Sequence, residues 1–77
     1  MRRIQVLGAG CPRCDKLRQT AETVVAQLGI DATVEQIADV DAILRFDVLL
    51  TPALVIDGEV KLVGRTASAE EIRRMLL

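Results

Sequence analysis

The segment Pro12–Leu28 spaces its apolar residues by three and four positions, which is the spacing of one face of an α-helix. Pro12 suits the first helical position, and Gly29 suits the left-handed residue that commonly ends a helix. The sequence therefore predicts one long helix that packs a single face against a core. The residues on this face are Cys14, Leu17, Ala21, Val24, Val25 and Leu28.

Short apolar segments lie on both sides of this helix. Residues 3–7 predict a buried strand that ends at Gly8 and Gly10, and residues 30–37 predict a second strand. A helix between two such strands forms a crossover connection. The two strands are therefore expected to lie parallel, joined by a right-handed connection.

A second, shorter helix is expected after these strands. Asp39 is a suitable N-cap, and the helix is predicted to run to about Asp47. Its apolar residues are spaced so that they share one face, which we expect to point inward. These residues are Val40, Ile43 and Leu44.

The next segment has the pattern of a β-hairpin. Ala53–Ile56 predicts a strand, Asp57-Gly58 a two-residue turn, and residues 60–63 an antiparallel return strand that Gly64 ends. Asp-Gly between β-branched segments is a strong hairpin signal, because both turn positions require a positive φ that these residues tolerate.

Ser68 and Glu71 form the pattern of a capping box, which predicts a last helix. On this helix Ile72, Met75 and Leu76 are expected to face the core. The resulting order β-α-β-α-β-β-α predicts an α/β fold: a mixed four-stranded sheet flanked by three helices. We expect residues 1–77 to form a single domain, because the chain is long enough for one and no more.

Charge and composition exclude several functions. The net charge is −1, with 10 basic and 11 acidic residues spread along the chain, and Phe46 is the only aromatic residue. Broad phosphate binding and base stacking are therefore not expected, so we predict no nucleic-acid partner. The apolar stretch at residues 4–7 is shorter than the roughly 7–15 residues of a secretion signal. We expect a monomeric, cytoplasmic protein that does not bind membranes.

The chain has two cysteines, in the sequence Cys11-Pro12-Arg13-Cys14, and no histidine. A disulfide across so small a loop would stabilise the fold little, and a zinc site needs about four ligands. A close cysteine pair in a reducing compartment is more often catalytic or metal-binding. The predicted helix start points to thiol–disulfide exchange that needs no metal or cofactor.

The predicted helix also makes the two cysteines unequal. Cys11 lies at the helix start beside the loop Gly8-Ala9-Gly10 and is expected to be exposed, whereas Cys14 continues the apolar face and is expected to be buried. Free N–H groups at a helix start stabilise a thiolate. We therefore expect Cys11 to attack a substrate disulfide and Cys14 to resolve the mixed disulfide.

At this point the sequence resembles the thioredoxin-like superfamily, and in particular its minimal members, the small redox-active disulfide proteins. The resemblance covers residues 4–76. It is carried by Cys11-Pro12-Arg13-Cys14 after the first strand, by Thr51-Pro52 and residues 53–58, and by Gly64. It implies a thioredoxin-like fold and a protein-disulfide reductase activity of the thioredoxin or glutaredoxin type.

The resemblance also implies how substrate binds. In the family the counterpart of Pro52 is cis and faces the disulfide, and the backbone before it pairs with an extended substrate segment. Thr51 and Pro52 are therefore expected to contact substrate, as are Gly10, Pro12 and Arg13 around the cysteines. The implied partners are a disulfide-containing protein and a reductase, for which a thioredoxin-reductase-like enzyme is one candidate.

Three departures leave the electron donor open. Gly10 stands where thioredoxins have Trp, and Cys-Pro-x-Cys is closer to glutaredoxins. Residues 64–66, Gly-Arg-Thr, lack the paired glycines and following acid with which glutaredoxins hold glutathione. Residues 3–7 contain no acidic residue, where thioredoxins bury a proton acceptor.

Two other functions remain open from the sequence. Small heavy-metal-associated domains also use Gly-x-Cys-x-x-Cys, and thiolates suit Cu(I), so a Cu(I) carrier is the main alternative. Those domains run β-α-β-β-α-β, however, whereas this chain is predicted to end in a helix. A thioredoxin-fold module that binds or senses without turnover is the third reading, because a fold does not determine a function.

Overall fold

The computed structural model describes residues 1–8 and 10–77. Within these residues the chain forms four strands and three helices, in the predicted order. Their bounds are β1 Arg2–Leu7, α1 Pro12–Leu28, β2 Ala32–Ile37, α2 Val40–Leu44, β3 Ala53–Ile56, β4 Glu59–Val63 and α3 Ala69–Leu76.

The described strands form one mixed sheet in the order β2-β1-β3-β4. β1 pairs with β2 in parallel, and β3 pairs antiparallel with both β1 and β4. The predicted mixed four-stranded α/β sheet and its strand directions are thus confirmed. In the hairpin turn Asp57 has φ 51° and Gly58 has φ 82°, the two positive values that the tight turn requires.

The helices pack on opposite faces of this sheet. Ile4 and Val6 of β1 face α1 and α3, where they meet Leu17 and Ile72. Leu7 points the other way and packs with α2 and the loop after it. β3 is buried along its whole length because its residues alternate between these two cores.

The predicted end of α1 and the predicted start of α3 are confirmed. Gly29 adopts the left-handed conformation at φ 63° and ends α1. Ser68 and Glu71 form the reciprocal hydrogen bonds of a capping box at the start of α3. Ile72 and Leu76 are buried, and Met75 packs against the same core.

The prediction for α2 was wrong in two respects. The helix ends at Leu44 rather than near Asp47, whose left-handed φ of 59° interrupts helical geometry. Only Ile43 is buried; Val40 is 66% exposed and Leu44 is 48% exposed. Val40 and Leu44 lie one helical turn apart and face an open groove instead of the core, so they gain little burial.

Candidate functional site

Cys11 is the N-cap of α1. Its backbone is extended, with φ −134° and ψ 146°, and its sulfur accepts a hydrogen bond from the Cys14 N–H at 3.2 Å. Pro12 begins the helix, and the Asp15 N–H donates to the Cys11 carbonyl at 3.1 Å. A thiol therefore occupies the place where a hydroxyl or carboxylate usually caps a helix.

The second cysteine lies one helical turn further and points into the core. The Cys11 and Cys14 sulfurs are 2.8 Å apart, and both cysteines are free thiols. Cys14 is 1% exposed, whereas Cys11 is half-buried. The expected difference in burial is present, although Cys11 is less exposed than the sequence suggested.

The two thiols differ in acidity as well. The hydrogen bond from the Cys14 thiol and that from the Cys14 N–H lower the pKa of Cys11, and the backbone N–H and charge of Arg13 act in the same direction. Burial, followed by the hydrogen bond to Cys11 and the negative charges of Cys11 and Asp15, raises the pKa of Cys14 to about 11. Cys11 is therefore the thiol that ionises first.

Thr51 and Pro52 lie at the same edge of the sheet as the cysteines. The Thr51–Pro52 peptide bond is cis, Thr51 is exposed and Pro52 is buried. The Pro52 carbonyl accepts a hydrogen bond from the Gly64 N–H at 2.8 Å, which ties the start of β3 to the end of β4. Thr51 is thus an exposed residue next to an anchored strand start.

Gly8 connects these two parts of the site. A Cβ at this position would lie 2.8 Å from the Thr51 Cβ and 3.0 Å from the Cys14 sulfur. The Gly8 N–H donates to the Ile37 carbonyl at 2.8 Å, and the Gly8 carbonyl accepts from the Gln36 side chain at 3.1 Å. The backbone of Gly8 is therefore held between the buried thiol and Thr51, where a side chain has no room.

The other expected substrate-binding residues surround Cys11. Gly10 precedes it with φ 74°, and Pro12 and Arg13 follow it at the exposed start of α1. The remaining residue of this loop, Ala9, lies outside the described residues.

Gly8, Gln36 and a neighbouring groove were missed by sequence reasoning. A glycine directly after a strand is a known sign of close backbone approach, and this signal could have identified Gly8. The sequence indicates the groove only weakly, through the apolar pair Leu49-Leu50 in a predicted loop. No sequence pattern identifies Gln36.

The described part of the site brings two sulfur atoms, those of Cys11 and Cys14, close enough together to bind one metal ion. No group of three or more His, Cys, Asp or Glu side chains comes together in residues 1–8 and 10–77. A four-ligand zinc site within one chain is therefore not formed by these residues. Across the same residues, no helix is both long enough and apolar enough to cross a membrane.

A half-buried and a buried thiol at a helix start, beside a Thr-cis-Pro on a mixed sheet, define a thiol–disulfide redox protein of thioredoxin-like fold. Residues 2–77 match the thioredoxin domain family, and the chain belongs to that family. It is 45% identical over 76 residues to a thioredoxin of Methanothermobacter thermautotrophicus, covering 99% of both chains. It is 34% identical over 73 residues to a thioredoxin of Methanocaldococcus jannaschii, covering 95% of this chain and 84% of the relative.

These relationships confirm the predicted activity. The protein is a thioredoxin-type thiol–disulfide oxidoreductase that acts on protein disulfides. The close approach of the Cys11 and Cys14 sulfurs fits the Cys-x-x-Cys motif of that class. Family membership therefore favours the oxidoreductase over the Cu(I) carrier that the sequence left open.

The position of Gly8 generates a prediction. Gly8→Ala is expected to lower the free energy of unfolding by about 1–3 kcal/mol, the usual cost of overpacking, and to slow the reaction of Cys14. Gly10→Ala is the matched control, because Gly10 also has a positive φ but has no atom within 4 Å of its Cβ position. Urea denaturation measures the free energy of unfolding of both variants. Equal losses in the two variants would show that crowding at Gly8 is unimportant.

Proposed function

We propose that Cys11 is the nucleophile and Cys14 the resolving thiol of this oxidoreductase. The observation that supports these roles is the asymmetry of the pair: the half-buried Cys11 has a lowered pKa, while the buried Cys14 has a pKa of about 11. The thiolate is the reactive form, so the thiol that ionises first and is reachable from solvent attacks first.

The reaction then proceeds in two exchanges. The Cys11 thiolate attacks one sulfur of the substrate disulfide, forming a mixed disulfide and releasing the other substrate sulfur as a thiolate. Cys14 then attacks the Cys11 sulfur, forming the Cys11–Cys14 disulfide and releasing the second substrate thiolate. In total the protein loses two electrons and two protons, and the substrate disulfide becomes two thiols.

The mixed disulfide prepares the second exchange. Once Cys11 is bonded to substrate it is neutral, so its negative charge no longer raises the pKa of Cys14. The pKa of Cys14 is therefore expected to fall when its thiolate is needed. Burial, the largest cause of the raised pKa of Cys14, remains, while the contribution from the negative charge of Cys11 is removed by the first step.

Substrate is proposed to bind at Thr51 and around Cys11. Thr51 is exposed beside the site, and its backbone offers an edge on which an extended substrate segment forms hydrogen bonds. Buried Pro52 supports this edge, and the exposed positions Gly10, Pro12 and Arg13 contact the substrate on the other side of the sulfurs.

Thiol labelling tests the order of the two thiols. With limiting iodoacetamide at neutral pH, Cys11 is expected to be alkylated first, at a rate that rises as pH passes through its lowered pKa. Arg13→Gln is expected to move this profile slightly to higher pH, because it removes a nearby positive charge. Lys16→Gln, on the next part of the same helix, is the matched control. First labelling of Cys14 would refute the assignment.

Trapping the mixed disulfide tests both the resolving role and the substrate edge. Cys14→Ser is expected to accumulate a covalent complex with a peptide disulfide, and Cys11→Ser to form none. In that complex the Thr51 amide is expected to exchange with deuterium more slowly than in the free protein. The Gly58 amide, in the distant hairpin turn, is the control. Unchanged exchange at Thr51 would refute the proposed edge.

The electron donor is proposed to be a reductase of the thioredoxin-reductase type. The support is that residues 64–66 lack the glycine pair and acid by which glutaredoxins bind glutathione. The oxidised protein is expected to be reduced by NADPH together with such a reductase, and far more slowly by glutathione at the same reducing power. Faster reduction by glutathione would reverse the proposal.

The protein is also proposed to act as a monomer in the cytoplasm. A disulfide reductase works from its dithiol form, and the cytoplasm is a compartment that keeps thiols reduced, which supports this location. Light scattering is expected to give the 8.4 kDa mass of one chain, and a stable dimer would contradict the monomer. Fractionation of cells is expected to recover the protein in the cytoplasm, and an exported protein would contradict that location.

A further inference from the structure

Gly8 is a buried residue whose backbone is held on both sides by the end of β2. Its N–H donates to the Ile37 carbonyl at 2.8 Å, and its carbonyl accepts from the side-chain amide of Gln36 at 3.1 Å. In a continued parallel ladder, the N–H of Asp39 would donate to this carbonyl. β2 ends at Ile37, however, and Asp39 is already the N-cap of α2. The Gln36 side chain therefore supplies the hydrogen bond that the strand no longer can.

The register of the sheet explains why Gln36 can reach Gly8. Gln36 pairs with Val6, and paired residues of parallel strands project from the same face of the sheet. Val6 packs in the core with Leu17 of α1, so Gln36 lies on the face that α1 covers. This is also the side toward which the chain turns as it passes from β1 into α1.

The sulfur of Cys14 lies directly against Gly8. The Cβ position of Gly8 is 3.0 Å from the Cys14 sulfur and 2.8 Å from the Thr51 Cβ, and Cys14 is 1% exposed. The Cys14 sulfur is also 2.8 Å from the Cys11 sulfur. The buried thiol is thus located between the backbone that Gln36 anchors and the sulfur that it must attack. A shift of the Gly8 backbone would change the distance and angle of that attack, to which reaction rates respond steeply.

Removing the Gln36 donor would leave the Gly8 carbonyl without its partner in a buried place. Such a carbonyl costs free energy until it finds another donor or reaches water. The Cys14 S–H is a donor in this neighbourhood, and it now donates to the Cys11 sulfur. The carbonyl would therefore turn toward water or compete for that S–H. Either change displaces the Gly8 backbone or the Cys14 thiol.

We infer that Gln36 is a positioning residue for the second exchange: its amide fixes the Gly8 backbone, and Gly8 in turn holds the Cys14 sulfur in place to attack Cys11. In that exchange Cys14 gives up its proton and its sulfur bonds to the Cys11 sulfur. The bond between the Cys11 sulfur and the substrate sulfur breaks, and the substrate leaves as a thiolate. The inference rests on the proposed function, because it requires Cys14 to be the resolving thiol.

Stopped-flow kinetics with limiting dithiobis(nitrobenzoate) separate the two exchanges. Attack by Cys11 releases one coloured thiolate, and resolution by Cys14 releases the second in a step that is independent of protein concentration. Gln36→Met has a side chain of similar size without the donor. It is expected to slow the second release about tenfold and to change the first by less than about twofold, because only the second uses the Cys14 sulfur as nucleophile.

Gln19→Met is the matched control, because Gln19 is an exposed glutamine on α1 to which the same change applies, and it is expected to keep both rates. Gln36→Asn keeps a polar amide that is one carbon too short, so it serves if the Met variant does not fold. It is expected to slow the second release in the same way. In both Gln36 variants the Gly8 amide is expected to exchange with deuterium faster, and in Gln19→Met at the unaltered rate.

The outcomes separate this inference from the proposed function. An unchanged second release in folded Gln36→Met and Gln36→Asn would overturn the inference and leave the cysteine roles intact. Equal slowing of both releases would mean that Gln36 supports the fold as a whole, and unchanged exchange at Gly8 would mean that the amide does not hold this backbone; either result overturns the inference. If Cys11→Ser still gave the first release at the full rate, the cysteine roles themselves would be wrong.

Discussion

The hydrogen bond from the Cys14 N–H to the Cys11 sulfur is the interaction on which the chemistry of this protein depends. This bond caps helix α1 and, after the hydrogen bond from the Cys14 thiol, is the next cause of the lowered pKa of Cys11, so helix formation and thiol acidity share one interaction. Cysteine is not among the residues that helix N-caps prefer, and Ser, Thr, Asp and Asn are. Its presence at this position is explained by reactivity. Any change that opens the first turn of α1 is therefore expected to weaken the fold and to raise the pKa of Cys11 together.

The sequence predicts those parts of the fold that depend on neighbouring residues. Pro12 and Gly29 set the bounds of α1, and Ser68 with Glu71 sets the start of α3, because caps are local hydrogen bonds and local backbone conformations. The unequal burial of Cys11 and Cys14 was also accessible, since helical periodicity alone places one at the tip and the other on the apolar face.

Features that depend on contacts between distant residues could not be predicted from local sequence patterns. Gly8 and Thr51 are far apart in the sequence, and only the folded sheet brings a Cβ position of one within 2.8 Å of the other. The exposure of Val40 and Leu44 was missed for a related reason. Periodicity predicts which residues share a face of a helix but not whether that face meets a core or a groove. The Thr51–Pro52 pair was recognised only through the family resemblance, because most prolines that precede a strand have no catalytic neighbour.

The register of the sheet explains why the site and the groove lie together. Leu7, the last residue of β1, pairs with Ala53, the first residue of antiparallel β3. Gly8 therefore emerges from the sheet beside Pro52, which brings the start of α1 close to Thr51. Leu7 also pairs with Ile37, the last residue of parallel β2, so the chain that continues into α2 emerges at the same edge. Three connections thus converge at one edge of the sheet: one supplies the thiols, one the exposed residue Thr51 and one the aliphatic wall of the groove. A shift of one residue in either pairing would separate them, so the strand register determines both the reactive centre and the surface beside it.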